Sequence, residues 1–128
     1  MVENLSSKIE TLADMLNLTA YLNTQAQYLS GGNKRKLQIA MALISSPSLV
    51  LFDEGTTGLD PVSRRNLYAY LRSNKITALI ITQSLDDIES YCDKVGILVK
   101  GNLQEFANPA DLLRKYFSSY TLQLFLPI

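Results

Sequence analysis

Histidine is absent from the 128 residues and cysteine occurs once, at Cys92. Those scarcities leave no transition-metal cluster to propose and no internal disulfide, and a lone thiol is consistent with a reducing compartment. An excess of either charge is also missing. Twelve Lys and Arg balance twelve Asp and Glu, so nothing indicates nucleic acid or an anionic membrane surface as a partner. The longest apolar stretches, residues 39–44 and 76–81, are far shorter than the roughly 20 residues of a membrane-spanning helix. The N-terminus lacks the apolar core of a signal peptide. These features predict a soluble chain with no membrane span of its own. Finally, no Gly-x-x-x-x-Gly-Lys-Ser/Thr loop occurs: the six glycines stand at 31, 32, 55, 58, 96 and 101, and none opens that phosphate cradle. What remains is a globular composition, 47% apolar and 19% charged, long enough for one domain with a core of ordinary size.

The most informative stretch is Tyr28-Leu-Ser-Gly-Gly-Asn-Lys-Arg-Lys-Leu37. Ser30 is a good helix N-cap, and Gly31 and Gly32 leave the first N–H groups of the helix approachable. Such a terminus, with its partial positive charge, suits a phosphate oxygen. Lys34, Arg35 and Lys36 add positive potential in the next turn, and Leu37, Ala40, Met41 and Ile44 recur at helical spacing, predicting an inward face. Alone, Ser-Gly-Gly is an ordinary capped surface helix. It is followed, however, by Leu49-Val-Leu-Phe-Asp-Glu54, an apolar run ending in two carboxylates, and then by Gly55-Thr-Thr-Gly-Leu-Asp60.

The rest of the chain reads as alternating helices and strands. Leu5, Ile9, Leu12, Met15 and Leu16 fall on one helical stripe, with Glu3, Lys8 and Asp14 off it. The helix opened by Ser30 should stop near Ser45-Ser46-Pro47. Residues 49–52 and 76–82 have the continuous apolar character of strands buried on both faces of a parallel sheet. Between them Asp60-Pro61 caps a helix running to about Arg72. Ser84 and Asp87 suggest a capping box for a short helix carrying Leu85, Ile88 and Tyr91. Residues 94–99 form a third strand, turned by Lys100-Gly101-Asn102 into a short partner at 103–106. Asn108-Pro109 starts a last helix to about Phe117, and residues 120–125 alternate like an edge strand. The order is that of an α/β fold with a mostly parallel sheet flanked by helices.

The ordered set of stretches resembles the nucleotide-binding domain of ABC transporters. Leu29-Ser-Gly-Gly-Asn33 matches the signature motif, residues 49–54 the Walker B segment, and Gly58-Leu-Asp60 the D-loop. Asn33 where many members have Gln, the following Lys-Arg-Lys-Leu37 and Ala-Met-Ala-Leu-Ile44 are most similar to the A subfamily, whose members move lipids. The Lys100-Gly101-Asn102 turn and the Tyr120-Thr-Leu122 ending fit the same subfamily. The resemblance implies the C-terminal portion of a P-loop NTPase fold. Residues 1–46 would be the tail of the helical subdomain and the signature helix, and residues 47–128 part of the catalytic core. It further implies ATP and Mg²⁺ as cofactors. Asp53 would hold the metal, Glu54 would polarise the attacking water, and Asp60 would communicate across a dimer. Ser30, Gly31, Gly32 and Asn33 would close over the γ-phosphate held by a second, head-to-tail nucleotide-binding domain. A transmembrane domain would be the other partner, at the cytoplasmic face of a membrane.

Three departures qualify that pattern. The phosphate loop, or Walker A motif, is missing, so the chain is expected to start partway through the domain, leaving a gap in mid-sheet. Gln83 stands where members have the H-loop histidine after the strand ending in Ile81-Thr82. Gly55 replaces the usual proline after the glutamate, predicting a looser turn. A non-catalytic or degenerate domain that binds or regulates a partner ABC protein is the alternative these departures favour. An unrelated soluble α/β module would need three linked motifs to arise by accident.

Overall fold

The computed structural model describes residues 5–117, which form two compact units, one running to Gln83 and the other beginning at Ser84. The alternating edge strand expected at residues 120–125 lies outside the described residues.

The first unit opens with helix α1 (Leu5–Met15), followed by two single-turn 3-10 segments, Thr19–Tyr21 and Ala26–Tyr28. Helix α2 (Gly31–Leu43) begins where the cap at Ser30 predicts and stops just before Ser45-Ser46-Pro47. Strand β1 (Leu49–Asp53), helix α3 (Pro61–Ser73) and strand β2 (Thr77–Ile81) then form a parallel crossover unit. The strands pair in register from Leu49 opposite Thr77 to Asp53 opposite Ile81. The core gathers Leu12 and Leu16 from α1 and its C-terminus, Ile39 and Leu43 from α2, Val50 and Phe52 from β1, and Leu67 and Leu71 from α3. Asn66 of α3 ties this packing to the end of α1, donating to the Met15 carbonyl at 3.2 Å, and the Ser63 hydroxyl, whose one proton is shared with Asp60, lies 3.3 Å from the Leu16 carbonyl. Those are helix-end acceptors with no partner inside α1.

Three expectations about faces are corrected. The α1 stripe is buried only from Leu12 onward; Leu5 and Ile9 are exposed. Lys8, expected off it, is buried, its ammonium donating to the Ser46 hydroxyl. On α2 the inward positions are Lys36, Ile39 and Leu43. Leu37, Ala40, Met41 and Ile44 instead line one wall of an apolar groove of about 420 Å³, with Ile9 and Leu22 among the facing residues. Strands β1 and β2 are covered on one face only. Leu51 is 70% exposed, Leu79 62% and Ile81 59%, because helices of this unit cover the face of Val50 and Phe52 alone. The apolar character of these strands is that of a doubly buried sheet, and the described residues supply one layer of cover.

The second unit holds helix α4 (Leu85–Tyr91), the antiparallel pair β3 (Val95–Val99) and β4 (Asn102–Ala107), and helix α5 (Pro109–Phe117). The hairpin turns through Lys100 (φ +50°) and Gly101 (φ +78°). Two consecutive left-handed residues give the primed turn whose twist matches the flanking strands. Ser84 caps α4, its hydroxyl accepting from the Asp87 N–H at 3.3 Å. Among the described residues the strands form two two-stranded sheets, β1–β2 parallel and β3–β4 antiparallel.

Candidate functional site

The C-terminal ends of β1 and β2 lie side by side, the edge at which parallel α/β sheets bind ligands. Asp53 ends β1, exposed, with Ile81 as its register partner. Glu54 follows in a left-handed conformation, φ +48°, which a side chain normally avoids and which neighbours must therefore hold in place. Its N–H donates to the Ile81 carbonyl at 2.8 Å, and its own carbonyl accepts from the Thr57 N–H at 3.1 Å and from the Arg35 guanidinium at 3.1 Å. Its carboxylate accepts from the Gln83 side-chain amide, Nε2 to Oε1, at 2.8 Å. A carboxylate only accepts, so this contact also fixes which way the Gln83 amide points. Asp53, Glu54 and Gln83 are therefore brought together by the β1–β2 pairing.

The turn after Glu54 is closely packed, contrary to the looser turn that Gly55 suggested. Two hydrogen bonds in succession close it, Thr57 to Glu54 and Leu59 to Thr56, both 3.1 Å. Gly55 is buried, and a β-carbon there would come within 2.6 Å of the Phe52 ring. The core side chain of β1 occupies the space that any larger residue would need.

Ser30, Gly31, Gly32 and Asn33 form the start of α2. Ser30 is extended (φ −61°, ψ 161°), and its hydroxyl accepts from the Asn33 N–H at 3.3 Å. The first backbone bond of the helix, Lys34 N–H to the Ser30 carbonyl, is 2.8 Å. The N–H groups of Gly31 and Gly32 precede it and have no partner within the helix. Gly31 is exposed with nothing near the position of a β-carbon, whereas a β-carbon on Gly32 would lie 3.3 Å from the Gly58 carbonyl. Gly32 thus lets the start of α2 approach the turn leading to Asp60.

Asp60 is the N-cap of α3. Its carboxylate accepts from the Ser63 N–H (2.9 Å) and hydroxyl (2.8 Å), and it pairs with the Lys36 ammonium at 2.6 Å. These bonds, the Lys36 ammonium first, hold its pKa well below the usual carboxylate range. The three cations after the signature residues therefore do not act alike. Lys34 is exposed, Arg35 reaches Glu54, and Lys36 is buried against Asp60. The sequence reading of a shared positive potential missed Arg35 and Lys36 as internal partners. Their targets lie about twenty residues away in the chain, and helical spacing carries no sign of such pairs.

A resident cation would find Asp53 as an exposed carboxylate at the strand end. Among the described residues no cluster of three or more His, Cys, Asp or Glu could enclose a metal. That donor set suits Mg²⁺, which keeps several waters and takes one or two carboxylates alongside phosphate oxygens; it would not build a closed structural site. No helix among the described residues is long and apolar enough to cross a membrane.

The fold and this edge define a class, the ATP-binding domains of ABC transporters. The sequence pattern of the ABC transporter family matches residues 3–57. A solved ATP-binding subunit of an ABC transporter superposes with a TM-score of 0.77 at 27% identity, over 88% of this chain and 48% of that one. A bacterial ABC exporter with ATP bound superposes with a TM-score of 0.73 at 26% identity, over 85% of this chain and 21% of that one. Within the class, members of the A family are among the curated relatives. ABC transporter A family member 4 of Arabidopsis thaliana is 41% identical over 125 residues, and A family member 11 of Dictyostelium discoideum is 36% identical over 122, each across 94% of this chain. These matches support an ABC nucleotide-binding domain of the A subfamily, with the α/β fold of the P-loop NTPases. The chain spans only 13% and 15% of the length of those two relatives.

Proposed function

We propose that these residues supply the signature motif, Walker B segment and D-loop of an ATP-hydrolysing domain that powers transmembrane transport, and that the phosphate loop lies outside them. The observation that carries the reading is the convergence of Asp53, Glu54 and Gln83 at the β1–β2 edge, with Glu54 held in a strained conformation at its N–H, carbonyl and carboxylate. Residues 1–46 then belong to the helical subdomain and residues 47–128 to the catalytic core.

The roles follow from chemistry. Phosphoryl transfer needs charge neutralisation and a positioned nucleophile more than covalent help. Asp53 would hold the Mg²⁺ that binds with ATP, and the ion would supply the charge neutralisation. Glu54 orients and partly deprotonates the attacking water. Ser30, Gly31, Gly32 and Asn33 offer a helix N-terminus to the γ-phosphate bound by a second, head-to-tail domain. Asp60 sits at the same junction. The cargo is lipid, by resemblance to the A subfamily, and the working protein sits at the cytoplasmic face of a membrane through its transmembrane domain. A slow or silent site is the second reading, favoured by Gln83, whose amide occupies Glu54 where members carry a histidine.

Ser30→Arg in the complete ATP-binding domain tests the composite site. A bulky cation would fill the space of the partner's γ-phosphate, so ATP should still bind each domain while ATP-driven pairing disappears from size-exclusion profiles. Pairing at the parent's level would overturn the assignment of Ser30.

A further inference from the structure

We propose that Arg35 is a positioning residue for Glu54, fixing the direction of its carboxylate from the signature helix. The inference rests on Glu54 being the water-orienting group. Arg35 lies in the second turn of α2, half-buried, with its guanidinium held at two points. One nitrogen donates to the Glu54 carbonyl at 3.1 Å and the other to the Gln38 Oε1 at 3.4 Å. Gln38 is on the next turn of the same helix, so it orients the guanidinium towards β1.

The carbonyl that Arg35 holds belongs to a residue in a strained backbone conformation. Glu54 is left-handed, a region that an L side chain visits only when its surroundings insist. The Thr57 N–H takes one lone pair of its carbonyl and Arg35 takes the other, as a charge-assisted donor. Removing the stronger donor lets the peptide between Glu54 and Gly55 rotate. With that peptide freed, Glu54 can leave its left-handed φ, which turns the Cα–Cβ bond and so redirects the carboxylate three bonds further along the side chain. Gln83 alone would not restore the aim, because a single contact at the far end of a flexible side chain leaves its stem free. The placement has a further consequence. The start of α2 serves the nucleotide of the partner domain, while Glu54 serves the nucleotide of its own, and Arg35 is a direct bond between the two.

The test uses the complete ATP-binding domain with its partner, comparing Arg35→Met, Arg35→Lys and Glu54→Gln. Misplacing a reacting group by about an ångström costs on the order of ten- to a hundred-fold in rate. Arg35→Met should therefore lower kcat by about that factor while KM for ATP stays within about twofold. Arg35→Lys, which keeps a charged donor, should recover most of the rate. Parent kcat in Arg35→Met, a parallel loss of ATP affinity, or no recovery with Lys overturns the proposal. Glu54→Gln separates the two layers: if it hydrolyses ATP at the parent rate, the reading of Glu54 fails. If it is inactive and Arg35→Met is normal, only the role of Arg35 fails. Should Arg35→Met not fold, the exposed Gln38→Leu frees the guanidinium without removing it, and unchanged kcat there counts against the proposal.

Discussion

Asp60 is an N-cap, the acceptor of two Ser63 bonds and the counterion of a buried lysine at once. Its pKa is depressed on folding, so its contribution to stability is complete above the ordinary carboxylate pKa of about 4 and fades as pH falls below that value. Its side chain is 41% exposed against 8% for Lys36, so solvent screens part of the pairing. Asp60→Asn keeps the capping oxygen but strands the Lys36 ammonium, and should cost about 1–2 kcal/mol at pH 7 with little further loss on acidification. Urea melts of the complete domain at pH 7 and pH 3 check this; a variant as acid-sensitive as the parent would contradict it. Gln83 presents a different case. It can donate to Glu54 but cannot take up a proton near neutral pH, and a histidine there can. Because acid–base or positioning help is worth roughly a hundred-fold or more, Gln83→His should raise single-site turnover. No gain, with Glu54 intact, would mean Gln83 does not limit the rate.

At the scale of elements, the ends are where local chemistry decides. Both α1 and α3 finish in paired bonds, Leu18 N–H to the Ala13 carbonyl (2.7 Å) with Asn17 N–H to Asp14 (3.0 Å), and Ile76 N–H to Leu71 (2.9 Å) with Lys75 N–H to Arg72 (3.1 Å). Each places a left-handed residue after the helix, Asn17 at φ +56° and Lys75 at φ +54°, the Schellman arrangement. Asparagine tolerates that region more readily than lysine does. Lys75→Gly should accordingly stabilise the domain by about 0.5 kcal/mol, the relief of strain exceeding the added freedom of the unfolded chain. A lower melting temperature would contradict it. These ends also explain what was legible. The caps at Ser30, Asp60 and Ser84, the proline at the start of α3 and the Lys100–Gly101 turn are local signals, and the structure has each of them where the sequence put it. Faces were less legible. Leu37, Ala40, Met41 and Ile44 keep helical spacing, yet the packed stripe is Lys36, Ile39 and Leu43, because Lys36 follows its carboxylate inward. A long-range ion pair leaves no trace in periodicity. The same holds for the candidate site: Asp53 and Glu54 were legible as carboxylates ending an apolar run, whereas the grip of Arg35 on a backbone carbonyl was not.

For the whole molecule, apolar surface is left open on the β1–β2 face, at Leu51, Leu79 and Ile81, and along the α2 groove, where Met41 is 66% exposed. Exposed apolar surface of this kind suits packing against another surface, and the chain spans a small part of the length of its relatives. The central claim is that Glu54, at the β1–β2 edge, turns over ATP in a site completed by the rest of the domain and by a partner. Glu54→Gln addresses it most directly, since the amide keeps the size of the side chain and its place opposite Gln83 while losing the charge that orients water. The measurement is phosphate release by the complete domain at saturating Mg-ATP. The account predicts a fall of about a hundred-fold or more with nucleotide still bound and the paired domains trapped closed; release at the parent rate would contradict it.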